Sequence, residues 1–227
     1  AINGVKLTLE GNDLGGAGNV ATIDSTLTFG GPGSELHLHR DPQLSTTGMV
    51  TTFVSGATVA GTGTISVQGQ VLNGSVGVGI PDALLFESGS LIAPGTSSSI
   101  GTITLASEPG QGNPVVGFDP GAIFGMKISS TLQEPLGFTS SGVPIDATQA
   151  DKVIFNLSPT FQFNAGPTLM VALLGAEAPI EASFYRLLQH GNGFTIGNGT
   201  VDNLGVTPNV TLDLLDGLTG TAQVGSI

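Results

Sequence analysis

Short stretches in which apolar and polar residues alternate run through almost the whole chain. Examples are "VKLTL", "ATIDSTLTF", "GTISVQGQV" and "DKVIFNL". A period of two places one side of an extended strand in a core and the other side toward solvent. The Val, Ile, Thr and Phe content of these stretches also favours strands. Clusters of Gly, Asn, Asp, Ser and Pro between them predict sharp turns, so the sequence predicts an all-β protein.

Helical patterns are scarce in the sequence. Only residues 181–190, "EASFYRLLQH", fit a helix, and they fit a strand equally well. Strands do not alternate with long amphipathic helices, which argues against the α/β classes. The 36 glycines among 227 residues show no three-residue period, which excludes collagen. A β-solenoid and a β-sandwich or jelly roll both remain open from the pattern, because no clean repeat length is visible.

The charge balance limits the classes of partner. The formal net charge is -12, from 17 acidic and 5 basic residues. A nucleic-acid groove needs clustered bases, so nucleic acid is excluded as a partner. No apolar run of about 18 residues is present, so we expect no transmembrane span. Cysteine is absent, and the bases are scattered singly: Lys6, Arg40, Lys127, Lys152 and Arg186.

Four segments carry a resemblance to a known family. Residues 89–105, "GSLIAPGTSSSIGTITL", resemble the "G-x-L-x-PG-x-SIGTLT" element of the β-helical passenger domains of bacterial autotransporters and of autotransporter-associated strand repeats. "GMKIS" at 125–129, "ADKVIFN" at 150–156 and "SFYRLLQHGNGFTIG" at 183–197 are similar to the elements that follow it, in the same order. The resemblance covers roughly residues 85–215.

The resemblance implies a fold and a location. It implies a right-handed parallel β-helix, a form of β-solenoid, which we expect to be a single domain over residues 1–227 with an inserted loop at 129–149. It also implies export and display, hence an extracellular or cell-surface bacterial protein. Members of the family are mostly structural. The chain has no room for the family's outer-membrane barrel, so we expect a surface protein that uses the β-helix module alone.

Three functions follow as expectations. The first is an extracellular structural protein of a bacterial surface or matrix that self-associates, in the extreme into filaments. The alternative is an adhesin-like module that binds a glycan or a surface. The third is a polysaccharide-acting enzyme, which needs a pair of carboxylates at a defined separation. The acids considered do not form a cluster in the sequence, so we assign no catalytic residue and expect no enzyme: Asp119, Glu134, Asp146 and Asp151.

Self-association is expected at the ends of the solenoid. Each end presents unpaired N–H and C=O groups. Both terminal regions are strand-like and have no charged or proline cap. The sequence therefore predicts a homo-oligomer or polymer whose copies pair through two sets of apolar residues: Val5, Leu7 and Leu9 near one end, and Val210, Leu212 and Leu214 near the other.

Residues 34–41, "SELHLHRD", hold the closest grouping of potential metal-ligating side chains in the sequence. Strand alternation places four polar residues on one side and Leu36 and Leu38 on the other. Two imidazoles flanked by carboxylates could hold zinc or copper, whereas the alternative is a solvated outer face. The strand is expected to end near Arg40. The predicted ligands are Glu35, His37, His39 and Asp41.

A second metal site is considered in residues 10–24. "EGNDLGGAGNVATID" is similar to the glycine-aspartate turns of calcium-binding β-rolls, although the nonapeptide repeat is missing. Asp13 and Asp24 are the candidate calcium ligands. The alternative is a glycine-rich loop with Asx turns, and no other cofactor is expected.

The polar segment inside residues 89–105 is interpreted as a corner. Pro94 fixes φ and Gly95 permits a sharp turn. The serines after it are available for the backbone groups of the corner. Either Ile100, or Ile103 with Leu105, is expected to re-enter the core.

Overall fold

The structure, a computed structural model, describes most of the chain in separate stretches. These are residues 1–11, 19–40, 49–67, 83–107, 115–129, 150–156, 162–163, 168–174, 187–190, 201–204 and 220–224. The strands are β1 (Lys6–Gly11), β2 (Asn19–Ile23), β3 (Thr26–Arg40), β4 (Met49–Phe53), β5 (Thr58–Val67), β6 (Ala83–Phe86), β7 (Leu91–Pro94), β8 (Thr102–Ser107), β9 (Val115–Phe118), β10 (Ile123–Ser129), β11 (Lys152–Asn156), β12 (Gln162–Phe163), β13 (Thr168–Leu174), β14 (Leu188–His190), β15 (Val201–Leu204) and β16 (Gly220–Val224).

Strands pair in parallel throughout the described residues. They form an 11-stranded and a 5-stranded sheet, and no helix occurs in these stretches. The predicted all-β class is therefore confirmed. Parallel neighbours cannot be joined by a tight hairpin, so the partners of each strand lie well before or after it in the chain. This arrangement is consistent with a β-solenoid-like fold.

The strands stack in three columns that the chain visits in a repeating order. β2, β4, β6, β9 and β12 form one column, and each is followed in sequence by strands of the other two. The long strands β3 and β5 cross from the second column to the first. Residues in register form three stacks: Leu7, Leu36, Ile65, Leu105 and Phe155 in the first column; Leu27, Val59, Ile92, Phe124 and Leu169 in the second; Ile23, Phe53, Phe86, Phe118 and Phe163 in the third.

The turns between the third and second columns also stack. Gly56, Gly89 and Gly121 have φ values of 86°, 81° and 88°, a region that side chains disfavour. The amide of Gly56 donates to the carbonyl of Gly89 at 3.0 Å, and the amide of Gly89 donates to the carbonyl of Gly121 at 2.8 Å. The turns therefore continue the parallel hydrogen bonding of the strands on either side.

This stacked turn corresponds to a repeat that the sequence analysis missed. The segments "FVSGATV" at 53–59, "FESGSLI" at 86–92 and "FDPGAIF" at 118–124 share a Phe, a Gly three residues later, and an apolar residue three residues after the Gly. Only three positions repeat in turns of 33 and 32 residues, which makes the period hard to detect in a scan of the whole chain.

Aromatic rings fill the centre of the core. Phe86 stacks on Phe53 with ring centroids 4.9 Å apart and on Phe118 at 4.8 Å, with interplanar angles of 8° and 4°. Phe124 and Phe155 also belong to this cluster, and their ring centroids lie 6.3 Å apart in an edge-on arrangement. All five side chains are almost fully buried. Parallel register places one ring directly over the next, so the offset or stacked contacts add to the burial of apolar area.

One polar side chain lies in this core without a partner. Thr51 is fully buried, and its hydroxyl has no hydrogen-bond partner among the described residues. A buried unsatisfied hydroxyl costs about 1–3 kcal/mol. Thr51→Val is therefore expected to raise the free energy of unfolding by about 1–2 kcal/mol in chemical denaturation.

The matched control for this substitution is Thr52→Val. Thr52 follows on the same strand but is half-buried, because its side chain points to the other side. We expect a change within about 0.5 kcal/mol for this control. A loss of stability in Thr51→Val would show that the hydroxyl is satisfied.

Two predictions about segments have different outcomes. The first residue of the predicted inserted loop at 129–149, Ser129, is the last residue of β10, and residues 130–149 lie outside the described residues. Within residues 181–190, which fit a helix or a strand, Leu188–His190 form strand β14. That strand pairs in parallel with β11.

Candidate functional site

The corner at residues 94–101 is closed by its own hydrogen bonds. Gly95 has a φ of 76°, as the predicted sharp turn requires. The amide of Thr96 donates to the carbonyl of Ser99 at 3.1 Å, and the two hydroxyls lie 2.8 Å apart. After the corner, Ile103 and Leu105 are fully buried, while Ile100 is only half-buried. Of the two predicted alternatives, the chain therefore re-enters the core at Ile103 and Leu105 and not at Ile100.

Three backbone segments approach closely beneath this corner. Gly61 and Gly95 exchange two backbone hydrogen bonds, at 2.8 and 2.7 Å. A Cβ built on Gly101 would lie 2.1 Å from the Gly95 nitrogen and 2.8 Å from the Gly61 carbonyl oxygen. Only hydrogen fits at such distances, so glycine is required for packing as well as for conformation.

A buried ion pair lies against the same corner. The ammonium of Lys127, on β10, is 2.5 Å from Oδ2 of Asp151 and donates to the carbonyl of Pro94 at 2.5 Å. The side chain of Asp151 is fully buried, and that of Lys127 is 9% exposed. Buried charges of this kind are stable only with full hydrogen bonding.

Backbone amides complete the coordination of Asp151. Oδ1 accepts from the amide of Gly101 and Oδ2 from the amide of Lys127, both at 2.8 Å. Burial raises the pKa of this carboxyl above its ordinary value, and the hydrogen bonds from Lys127 and Gly101 offset only part of that rise. The site thus favours the neutral acid more than water does.

Three of the segments that carry the family resemblance meet here. Gly101 belongs to "SIGT", Lys127 to "GMKIS" and Asp151 to "ADKVIFN". In the sequence, Lys127 is one of five bases that stand singly, and Asp151 is one of several dispersed acids. The fold buries the two side chains together. Strand alternation gave no signal for this burial, because it places Lys127 on the side opposite to Met126 and Ile128, whereas all three residues are buried.

The predicted transition-metal residues are only partly described. Leu36 and Leu38 are buried as expected, and β3 ends at Arg40 as expected. His37 is also buried, so it is not the solvated outer residue of the alternative interpretation. Glu35 accepts a hydrogen bond from Ser66 at 2.6 Å and lies 3.5 Å from the Lys6 ammonium.

The other predicted ligands and acids either lie outside the described residues or do not cluster. Asp41, Asp13, Glu134 and Asp146 lie outside the described residues, and for His39 only the backbone is described, in β3. Asp24 and Asp119 are exposed. Within the described stretches, no three His, Asp or Glu residues come together as metal ligands would.

The predicted self-association residues are described at one end. Val5 is 59% exposed and Leu7 is 47% exposed. Leu7 begins the stack of the first column, where the next residue, Leu36, is buried. For Leu9 only the backbone is described, and the other set lies outside the described residues: Val210, Leu212 and Leu214.

No protein-family model, curated protein or solved structure matches this chain. The described residues hold no helix that is long and apolar enough to span a membrane.

Proposed function

We propose that the protein is an extracellular structural protein of a bacterial surface or matrix, built as a right-handed parallel β-helix that associates end to end. The observation that carries the proposal is the exposed apolar edge formed by Leu7 on β1 and by Val5, which immediately precedes that strand. The meeting of the three family-like segments at one buried corner supports kinship with autotransporter passenger domains, and with it display outside the cell.

The stacking supports the β-helix. The chain runs through the three columns in the same order turn after turn, and the early turns are about 30 residues long, within the 20–50 range of solenoid repeats. Parallel strands joined by crossover connections are almost always right-handed. In such an array each turn buries the inner side of its neighbour, so the first turn has no neighbour on its outer side.

In the part of the chain that the structure describes, the first turn has an unpaired strand edge. Among the described residues β1 pairs with β3 alone. One row of its backbone N–H and C=O groups is therefore open, and Val5 and Leu7 stay exposed beside it. Open, apolar edges of this type are the usual positions for strand addition.

A second copy of the chain is the occupant that fits this edge. The strands of every turn run in the same direction, so the far end of one copy presents the polarity that β1 of the next copy needs. Head-to-tail contacts of this kind do not close into a dimer and extend into a filament. The net charge of -12 repels the copies, so we expect added salt to strengthen association.

The test is sedimentation velocity over a range of concentrations, combined with negative-stain microscopy. The wild-type chain is expected to form concentration-dependent oligomers. In Val5→Lys/Leu7→Lys, association is expected to weaken by about tenfold or more, because burying one apolar side chain contributes about 1.5–3 kcal/mol.

The control is Thr8→Lys, on the same exposed strand. It adds a charge without removing apolar area, and we expect it to affect association less than the double variant does. A wild-type chain that stays monomeric at every concentration and salt level would contradict the proposal. Equal effects of both variants would assign association to charge alone.

A further inference from the structure

The corner residues hold Lys127 and Asp151 in direct contact, with backbone hydrogen bonds to both side chains. The ammonium and the carboxylate are in contact at 2.5 Å, away from solvent, and three backbone groups fix them from different sides. A nucleophile, an electrophile and hydrogen-bond donors to both carboxyl oxygens are therefore present together. The chain has no cysteine, so disulfides cannot stabilise it.

The geometry points to an intramolecular isopeptide bond between Nζ of Lys127 and Cγ of Asp151. Neither the resemblance nor the proposed self-association assigns such a bond. It would covalently join β10 to the residue that precedes β11, across a separation of 24 residues. The bond would thereby close the segment 128–150 into a loop with both ends fixed beside the corner.

The reaction balances without a further reagent. Proton transfer from the Lys127 ammonium to Oδ2 gives a neutral amine and a neutral acid. Nζ then attacks Cγ, so the Nζ–Cγ bond forms and the Cγ–Oδ2 bond breaks. Oδ2 leaves as water with two of the three ammonium protons. The remaining proton stays on the amide nitrogen, and nothing is oxidised or reduced.

The surrounding groups favour each part of this step. The Gly101 amide stabilises the negative charge that develops on Oδ1, as donors in an oxyanion hole do. The Lys127 amide donates to the departing Oδ2. In the product the new amide N–H still faces the Pro94 carbonyl, and the new amide oxygen still accepts from Gly101.

Burial reduces one obstacle to condensation, the negative charge on the carboxylate. The raised pKa of the Asp151 carboxyl favours the neutral acid that the reaction needs. Fixed contact between the reacting groups corresponds to an effective concentration of about 10⁵–10⁸ M in well-oriented cases. Exclusion of bulk water then disfavours the reverse hydrolysis.

The test is the intact mass of the purified, denatured chain after incubation at neutral pH until the mass is constant. We expect the wild type to be lighter than its sequence by one water. Lys127→Arg keeps a cation beside Asp151, but its guanidinium does not condense, so this variant is expected to have its full mass. Lys152→Arg, changed at the residue next to Asp151, is expected to keep the deficit.

Tryptic digestion identifies the residues that the bond joins. An unmodified chain is cut after Arg40, Lys127 and Lys152, which releases fragments 41–127 and 128–152. The cross-linked chain is not cut at Lys127, because its side chain is an amide, and yields fragment 41–152 lighter by one water. A full wild-type mass would overturn the proposal. So would a water deficit that persists in Lys127→Arg, since an aspartyl succinimide loses the same mass.

Discussion

Phe86→Ala is expected to lower the free energy of unfolding by about 3–5 kcal/mol. Phe86 lies between two rings, with Phe53 at 4.9 Å and Phe118 at 4.8 Å between centroids, and its side chain is almost fully buried. Truncation removes the apolar area, leaves a cavity, and ends both stacking contacts. Chemical denaturation followed by circular dichroism measures the loss.

Phe86→Leu is the control for this prediction. Leucine keeps most of the volume and apolar area but not the ring, so its smaller loss isolates the aromatic contribution, about 0.5–1.5 kcal/mol for each ring pair. If alanine and leucine destabilise the protein equally, the stack contributes through its ring contacts and not through the filling of the core. A change below about 1 kcal/mol for alanine would contradict the parallel register of β4, β6 and β9.

Gly61→Ala is expected to destabilise the protein by about 4 kcal/mol or more, in the range of exceptional single substitutions. Gly61 has a φ of 89°, and a Cβ there would lie 1.9 Å from the carbonyl oxygen of Phe29. That atom belongs to the backbone of β3, so it cannot move aside as a flexible side chain would. The clash would separate β5 from both β3 and the corner at residues 94–101.

Gly33→Ala is a closely matched control. Gly33 has nearly the same φ, 88°, and no heavy atom lies within 4 Å of a Cβ built on it. This control therefore reports only the cost of the left-handed conformation, about 1–2 kcal/mol. The difference between the two variants measures the close approach at Gly61. Equal losses in the two variants would show that the backbone segments are not in contact.

The sequence predicted individual strands and corners better than it predicted which strands pair with each other. The alternation in "VKLTL" and "DKVIFNL" identified β1 and β11, and Pro94 with Gly95 identified a corner. These signals are local, because strand periodicity and turn conformation depend on a few consecutive residues. The stacking of Phe86 between Phe53 and Phe118 was not predicted, since parallel partners lie about 30 residues apart and the alternation within a strand does not identify its partner.

The candidate site was the harder part to predict. "SELHLHRD" attracted attention because its histidines and carboxylates are close in sequence. Lys127 and Asp151 did not, because each stands alone among apolar or polar neighbours. Their meeting depends on β7, β8, β10 and β11 coming together around the corner at residues 94–101. A sequence pattern carries no information about which distant strands become neighbours.

The sequence by itself determined the all-β class, the corner at Pro94 and Gly95, and the inward position of Leu36 and Leu38 on β3, because each follows from side-chain alternation or turn chemistry within a short segment. Only the tertiary structure decided which strands stack, which glycines must lack a side chain for packing, and which charges are buried. Those properties depend on hydrogen bonds and solvent exclusion between residues far apart in the chain, as in the pair Lys127 and Asp151.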